Sequence, residues 1–508
     1  MAYTKAPTQD VYQTKTIPLI YDWNNRQQST FTALSDPKQT VAQNVHFEKV
    51  VDQETGENYY NVIKRDGWEE EDTFGNAIIG TYYWENPDRI VVVTSTTIWM
   101  LDITTGIKTS TTTSVFSTSA TKGLNFTEFL YEDGHSDLII CGEFAAGGLT
   151  TAGVFTQITD PDYPTTVLAY PVFLDGYLFI ADTQGNIRNS DLNNPYSWTS
   201  SNFIAVESYP DYIKGLARVG SYVVALGTTS TEWFFDAANP TGTPLARVEG
   251  ATQEIGYIQG LVGSENAIYF VGRSNRGQAS VYKIVGLKIT ELGTPTVRRW
   301  LGTTSFLSSS RGHIFMMGGH RFYVVIQNRD FINPTQCYMY DLDEKMWTSL
   351  VLRNDNEGPF IFTSTTAFQK DITQAYGQVL TYFSEYQSNR LFVFRPEFYQ
   401  DDASSANPVN FTCQFTTRPL DFGNYRNKFV SRLVFGTDQT SSTSLMSVSW
   451  SDNDLQTFNT PRTVNLANAY TPLYANGVFR KRAFKITYAD NFPMRWRSVE
   501  IDYLQGDA

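Results

Sequence analysis

Short apolar runs of four residues, rich in β-branched and aromatic side chains, recur along the middle of the chain: Ile90–Val93, Leu138–Cys141, Leu178–Ala181, Val223–Leu226, Ile268–Val271 and Ile314–Met317. Their first residues are 48, 40, 45, 45 and 46 positions apart. A period of about 40–50 residues with several strands per repeat is the pattern of a β-propeller blade. Several runs follow the same kind of turn: Asp175-Gly176, Val219-Gly220 and Ser264-Glu265-Asn266. Gly and Asn supply the positive φ that tight hairpins need. Each run leads through a polar turn into a second strand, as Ile268–Val271 does into Val281-Tyr282-Lys283-Ile284. Strand signals at Phe360-Ile361-Phe362 and Leu391–Phe394 extend the pattern. The spacing predicts six to eight blades, centred on seven, between residues 76 and 400.

Past residue 400 the punctuation changes. Asp401–Pro408 is polar and reads as a linker. Five alternating stretches follow, Phe411–Phe415, Phe429–Phe435, Leu445–Trp450, Phe484–Tyr488 and Ser498–Tyr503, and they predict a separate β-sandwich over 401–508. Residues 1–75, with Pro7, Pro18 and Pro37, read as an extended arm and some strands without a core of their own; Asp66-Gly67-Trp68 reads as a turn. No segment sustains apolar residues at i, i+3, i+4 and i+7, so long helices are not expected. The predicted class is all-β: a β-propeller-like central domain with a C-terminal β-sandwich.

Composition agrees. Of 508 residues 15% are aromatic and 18% charged, against a usual charged fraction of about 25%, which excludes intrinsic disorder. No run approaches the 18 or so apolar residues of a membrane helix, so no stable membrane insertion is expected. The N-terminus lacks the apolar core of a secretory signal. The net charge is −13. A net acidic chain is poorly suited to gripping phosphates, yet suits a surface along which a polyanion slides. Cys141, Cys337 and Cys413 are odd in number and far apart, and read as small core residues in a chain folding in a reducing cytoplasm.

Candidate chemistry is sparse. His313 and His320 are seven apart across Met316-Met317-Gly318-Gly319, and the sequence supplies no third metal ligand. His135-Ser136-Asp137 has the wrong geometry for a triad, whose members meet in space rather than in sequence. Glu69-Glu70-Glu71-Asp72 and the Asp341/Asp343 pair lack the calcium-loop pattern and read as solvated faces. Asn125-Phe126-Thr127 and Asn410-Phe411-Thr412 match the glycosylation pattern by chance, and no phosphate-cradling loop is present. Ser451–Phe458 resembles the S-x-D-x-G-x-T-W turn of sialidase blades, with Asn453 and Leu455 departing from it; that turn is a folding motif. No catalytic, cofactor or metal site is therefore assigned. The one basic cluster is Arg480-Lys481-Arg482, echoed by Arg426 and Lys428. Strand alternation would put Arg480 and Arg482 on one face. These five are the candidate subunit or partner contacts.

Several stretches together point to a family. Ile213–Ala217, Val223–Gly227, Thr231-Glu232-Trp233-Phe234-Phe235 and Ala251–Gly256 resemble the packaged-DNA stabilisation (tail hub or nozzle) proteins of short-tailed bacteriophages. So does Asn194-Pro195-Tyr196-Ser197-Trp198. Near the C-terminus, Gly477, Arg480, Arg482 and Phe484 match the family's G-x-x-R-x-R-x-F strand. The resemblance covers about residues 170–300 and 425–503. It implies a structural virion protein of the tail rather than an enzyme, assembled in the host cytoplasm as a homohexameric ring, without cofactors. Such a ring joins a portal-adaptor ring to a tail needle, fibre or tailspike, retains packaged DNA and forms its exit channel, with no sequence-specific DNA binding. Its inward face should be neutral or acidic, with the five basic residues away from the lumen. Two other classes compete. A carbohydrate-binding or glycan-hydrolysing propeller would need convergent carboxylates and aromatics at one mouth. A peptide-binding scaffold propeller would show Trp-Asp dipeptides, and none occurs.

Overall fold

The computed structural model describes residues 13–20, 42–51, 58–116, 123–168, 170–206, 211–239, 241–264, 266–303, 310–326, 337–352, 361–369, 378–385 and 387–506. Pro7, Pro37, Glu265 and Phe360 lie outside them.

Four-stranded antiparallel sheets span 78–112, 125–157, 172–205, 213–247 and 255–291. A sixth four-strand set, 311–350, is one end of a nine-stranded sheet. A seventh is built from strands within 361–395 and Gly67–Thr73. Seven apolar cores lie between consecutive sets, and one of them packs the seventh set against the first. The sets are therefore the blades of a closed propeller, within the expected six to eight. The ring is closed by the strand Gly67–Thr73, which pairs with Arg390–Arg395 as the outermost strand of the last blade.

The repeating runs are apolar throughout because each second strand is covered on both faces by neighbouring blades. Ile90 to Val93 are all fully buried, as are Val223 and Val224. Ile314–Met317 is the exception: it lies on the first strand of its blade, Arg311–Met317. The equivalent of the other runs there is His320–Ile326, where Phe322 to Ile326 are fully buried. Strand pairing sets blade phase, and one longer interval moved it. The Glu-Trp pair of the fourth blade is structural. Glu232 is buried in an ion pair with Arg247 (2.8 Å), and the Trp233 indole donates to the carbonyl of Gly286 in the next blade (2.9 Å).

Asp66-Gly67-Trp68 is not a turn: Gly67 and Trp68 begin the closing strand. A Cβ on Gly67 would lie 2.1 Å from the carbonyl oxygen of Gln400, so only glycine allows this approach. The acidic run 69–72 occupies the same strand. Glu70 pairs with Arg390, and Glu69 and Glu71 pair with Arg395, so the run is a cross-strand ladder rather than a freely solvated face.

The C-terminal strands do form two facing sheets around one core, but the unit is not separate. One sheet joins Val45–Val51 and Asn58–Lys64 to Arg495–Gln505 and Lys428–Thr437, and Gln13–Pro18 also pairs with Arg495–Gln505. The other is continuous with a blade: Gln43 pairs in parallel with Ser349 and antiparallel with Gln414. Exposed N–H and C=O groups at the edge of the sixth blade are satisfied by this pairing. Asp401–Pro408, expected as a linker, starts with a fully buried carboxylate. Asp401 takes both terminal nitrogens of Arg65 (2.8 and 2.7 Å), and neither side chain is exposed. One short helix, Pro295–Thr303, is present, and no helix among the described residues is long and apolar enough to cross a membrane.

Candidate functional site

The basic cluster is split by burial. Arg480 and Lys481 form a bend between Val478–Phe479 and Ala483–Tyr488, so simple alternation fails and Arg480 does not share a face with Arg482. Arg482 is buried. Its guanidinium is bidentate to Asp452 (2.7 and 2.8 Å) and lies 4.3 Å from the Phe479 ring centre and 4.8 Å from that of Trp450. Lys428 is also buried, donating to the carbonyls of Asn424, Arg426 and Arg480 at 2.6–3.0 Å. These two hold the subunit together and are not available as surface contacts. Lys481 pairs with Asp454 at 2.5 Å. Arg426 and Arg480 remain exposed, with Arg480 donating to the Asn427 side-chain oxygen (3.2 Å). Beside them Tyr425, Phe429, Tyr474 and Val478 are exposed, a group that alternation along the strand did not reveal.

The carboxylates that neutralise Lys481 and Arg482 both come from the sialidase-like turn. There Asn453 Oδ1 accepts the Thr457 N–H (3.0 Å), Ser451 Oγ accepts the Leu455 N–H (3.0 Å), and Asp454 and Leu455 adopt positive φ. Its role is local folding and anchorage of the basic segment.

The histidines are not brought together as a pair. His313 pairs with Val324 and His320 with Met317, at opposite ends of one hairpin. His320 Nδ1 lies 2.9 Å from Asp341 Oδ2, off the line of an ideal hydrogen bond, and its ring sits 5.2 Å from that of His46. Asp343 joins this group, giving three donor atoms close enough to share a cation. Asp341 Oδ1 already accepts the N–H groups of Asp343 and Glu344, and Asp343 holds Arg321 (2.8 Å). These contacts account for the cluster as the turn of a hairpin.

The first strands of the seven blades surround a central cavity of about 580 Å³. Glu128 is the one carboxylate among its described lining residues; it accepts from the Tyr82 hydroxyl (3.1 Å), and burial raises its pKa. Arg218, Arg311 and His313 are the basic lining groups. Burial, reinforced by Arg311, pushes His313 down to about 3 and keeps its imidazole neutral. Neighbouring blades approach closely here. The hydroxyls of Tyr170 and Tyr257 touch at 2.9 Å, and Tyr323 donates to the Gly260 carbonyl (2.8 Å). A Cβ on Gly312 would fall 2.1 Å from the Gly260 oxygen. The carboxylate pair a glycoside hydrolase uses is not found among the described lining residues.

Comparison with known proteins gives one family. Residues 86–373 match the model of the phage-stabilisation family, described as "Bacteriophage P22 Gp10, beta-propeller". No curated protein matches the chain. Among solved structures, a streptogramin B lyase is similar at 14% identity and TM-score 0.41, over 65% of this chain and 98% of that one. The N-terminal domain of Nup159 is similar at 8% identity and TM-score 0.38, over 70% and 100%. The computationally designed Ika8 protein is similar at 11% and 0.38, over 65% and 99%. Likeness at this level says nothing of what the chain binds or does.

Proposed function

Since the chain belongs to the phage-stabilisation family of bacteriophage P22 Gp10, phage structural proteins built on a β-propeller, we propose that it is the tail nozzle or hub of a short-tailed phage. In this reading several copies form a ring, a homohexamer, between a portal-adaptor ring and a tail needle, fibre or tailspike. The ring retains packaged DNA and gives it a way out, in a virion tail assembled in the host cytoplasm. The family match over the propeller carries the reading.

The physical chemistry of the subunit supports it. DNA cannot run through the propeller's own centre: a 580 Å³ cavity equals a cube about 8 Å on a side, whereas the major groove of a duplex alone is about 12 Å wide. In this reading the path lies between subunits. Residues 67–400 carry 21 basic and 34 acidic side chains, which accounts for the whole net charge of −13. A ring presenting propeller surface to the bore would repel phosphates and let the duplex slide. Nothing among the described residues of the central cavity favours the glycan-hydrolysing alternative. The test is a phage preparation lacking this chain. Its packaged genome should become accessible to nuclease, and adding the purified chain should restore protection; a genome protected without the chain would overturn the proposal.

A further inference from the structure

Five consecutive blades leave an apolar side chain bare at or beside the hairpin joining their third and fourth strands: Ile107, Val154, Leu192, Phe235 and Leu287, each 38–62% exposed. Blades repeat by rotation, so equivalent positions lie along one arc of the rim. On the sixth blade the corresponding hairpin is covered by the sandwich: Met346 is part of the sandwich core, and Glu344 accepts the Lys49 N–H. On the seventh, Gly67 and Trp68 lie against Phe398 and Gln400, where the chain enters the sandwich. The rim thus seats the molecule's own sandwich at two blades and continues around the others with no partner among the described residues.

The middle of the bare arc is acidic. Leu130, at the end of the first strand of the second blade, and Leu192 of the third are both exposed, and the two blades meet between them where Asn193 donates to Glu132 (3.4 Å). Glu132, Asp133 and Asp175 are exposed around this pair, with Asp236 beside Phe235. Arg218, inboard of them, is occupied by the carbonyls of Gly220 and Phe173. The sandwich carries the complement. Tyr425, Phe429, Tyr474 and Val478 are 46–68% exposed around Arg426 and Arg480, and among the described residues neither arginine meets a carboxylate. Phe429 and Val478 are cross-strand partners, so the group is one patch. It lies on the edge of its sheet remote from Val45–Val51, the strand beside the sixth blade. Apolar side chains fringed by opposite charge, with Tyr and Arg on one side, have the composition of a specific interface.

In a ring of seven, the third blade stands opposite the boundary between the sixth and seventh, where the sandwich is attached. The two patches are therefore at opposite ends of one subunit. We propose that they bind each other between copies: the aromatic and basic sandwich edge of one subunit seats on the apolar and acidic rim of blades two to four of the next. This contact rests on the ring reading above and makes it heterologous, head to tail, which closes into a ring or grows as a filament according to the rotation it imposes.

The decisive experiment uses two exposed-surface variants of the full chain, each checked against the parent by thermal melt. Phe429→Ser with Arg480→Gln removes the sandwich patch; Leu192→Ser with Glu132→Gln removes the rim patch. Each alone should fall to the 57.4 kDa subunit mass under conditions where the parent assembles. Mixed in equal amounts they should form a dimer and stop there, because one intact rim meets one intact sandwich patch. Assembly of either variant like the parent, or a mixture that stays monomeric, overturns the contact while leaving the ring reading in place. A parent that is itself monomeric overturns both.

Discussion

Replacing Asp401 with Ala should be among the most damaging single changes in the molecule. All five N–H groups of Arg65 are used: Nε on Asn44 Oδ1 (3.3 Å), one terminal N–H on the Asp66 carbonyl (2.8 Å), one on the Val351 carbonyl (3.3 Å) and two on Asp401 (2.8 and 2.7 Å). The guanidinium also lies 3.5 Å from the ring centre of Phe411. These partners come from the N-terminal strands, the sixth blade and the segment after residue 400, so the pair clasps sandwich to propeller. Both side chains are fully buried. Asp401→Ala leaves a guanidinium in that interior with two N–H groups unmet, and breaking one half of such a pair costs about 3–5 kcal/mol. The desolvation penalty is the larger part of that cost. The double variant Arg65→Met/Asp401→Leu, which removes both charges, should therefore recover most of it. Urea unfolding followed by tryptophan fluorescence reads both values, with Trp496 in the sandwich core and Trp347 between the fifth and sixth blades. A single variant within about 1 kcal/mol of the parent, or a double variant no better than the single, would refute the reasoning.

Two further outcomes follow from burial. His313 has a folded-state pKa of about 3 against an ordinary 6.5, so its contribution to stability is complete above pH 6.5 and lost as pH falls toward 3, by about 1.4 kcal/mol per unit. In urea midpoints measured from pH 7 to 4, His313→Asn should lessen the acid slope by one proton, and an unchanged slope would show that the imidazole is not held neutral. Burial pushes the thiols of Cys141, Cys337 and Cys413 up to about 12. A disulfide reagent at pH 8 should therefore label none of them in the folded chain and all three in urea; rapid labelling of the folded chain would contradict their burial.

Much of the propeller was legible because its evidence is local. A strand covered on both faces must be apolar at every position, as Ile90–Val93 and Val223–Leu226 are, and tight hairpins need residues that tolerate positive φ, as Asp175 and Gly176 do at 50° and 82°. Those constraints act within a few residues, so the amino-acid order alone carried strand class, period and approximate blade count. The tertiary structure decided what depends on partners far along the chain. Gly67–Thr73 reads as a turn and an acidic run until Arg390 and Arg395, more than 300 residues away, make it the strand that closes the ring. Phe429 would share the buried face of Leu433 and Phe435 by alternation, but a register shift between Val430 and Arg432 turns it to solvent. Arg482 and Arg480 carry the same side chain two residues apart, and one is enclosed by Asp452, Trp450 and Phe479 while the other is exposed at the surface. Hydrophobic periodicity says which side chains need cover, whereas which surface covers them is settled only when distant strands pair and the register of that pairing is fixed.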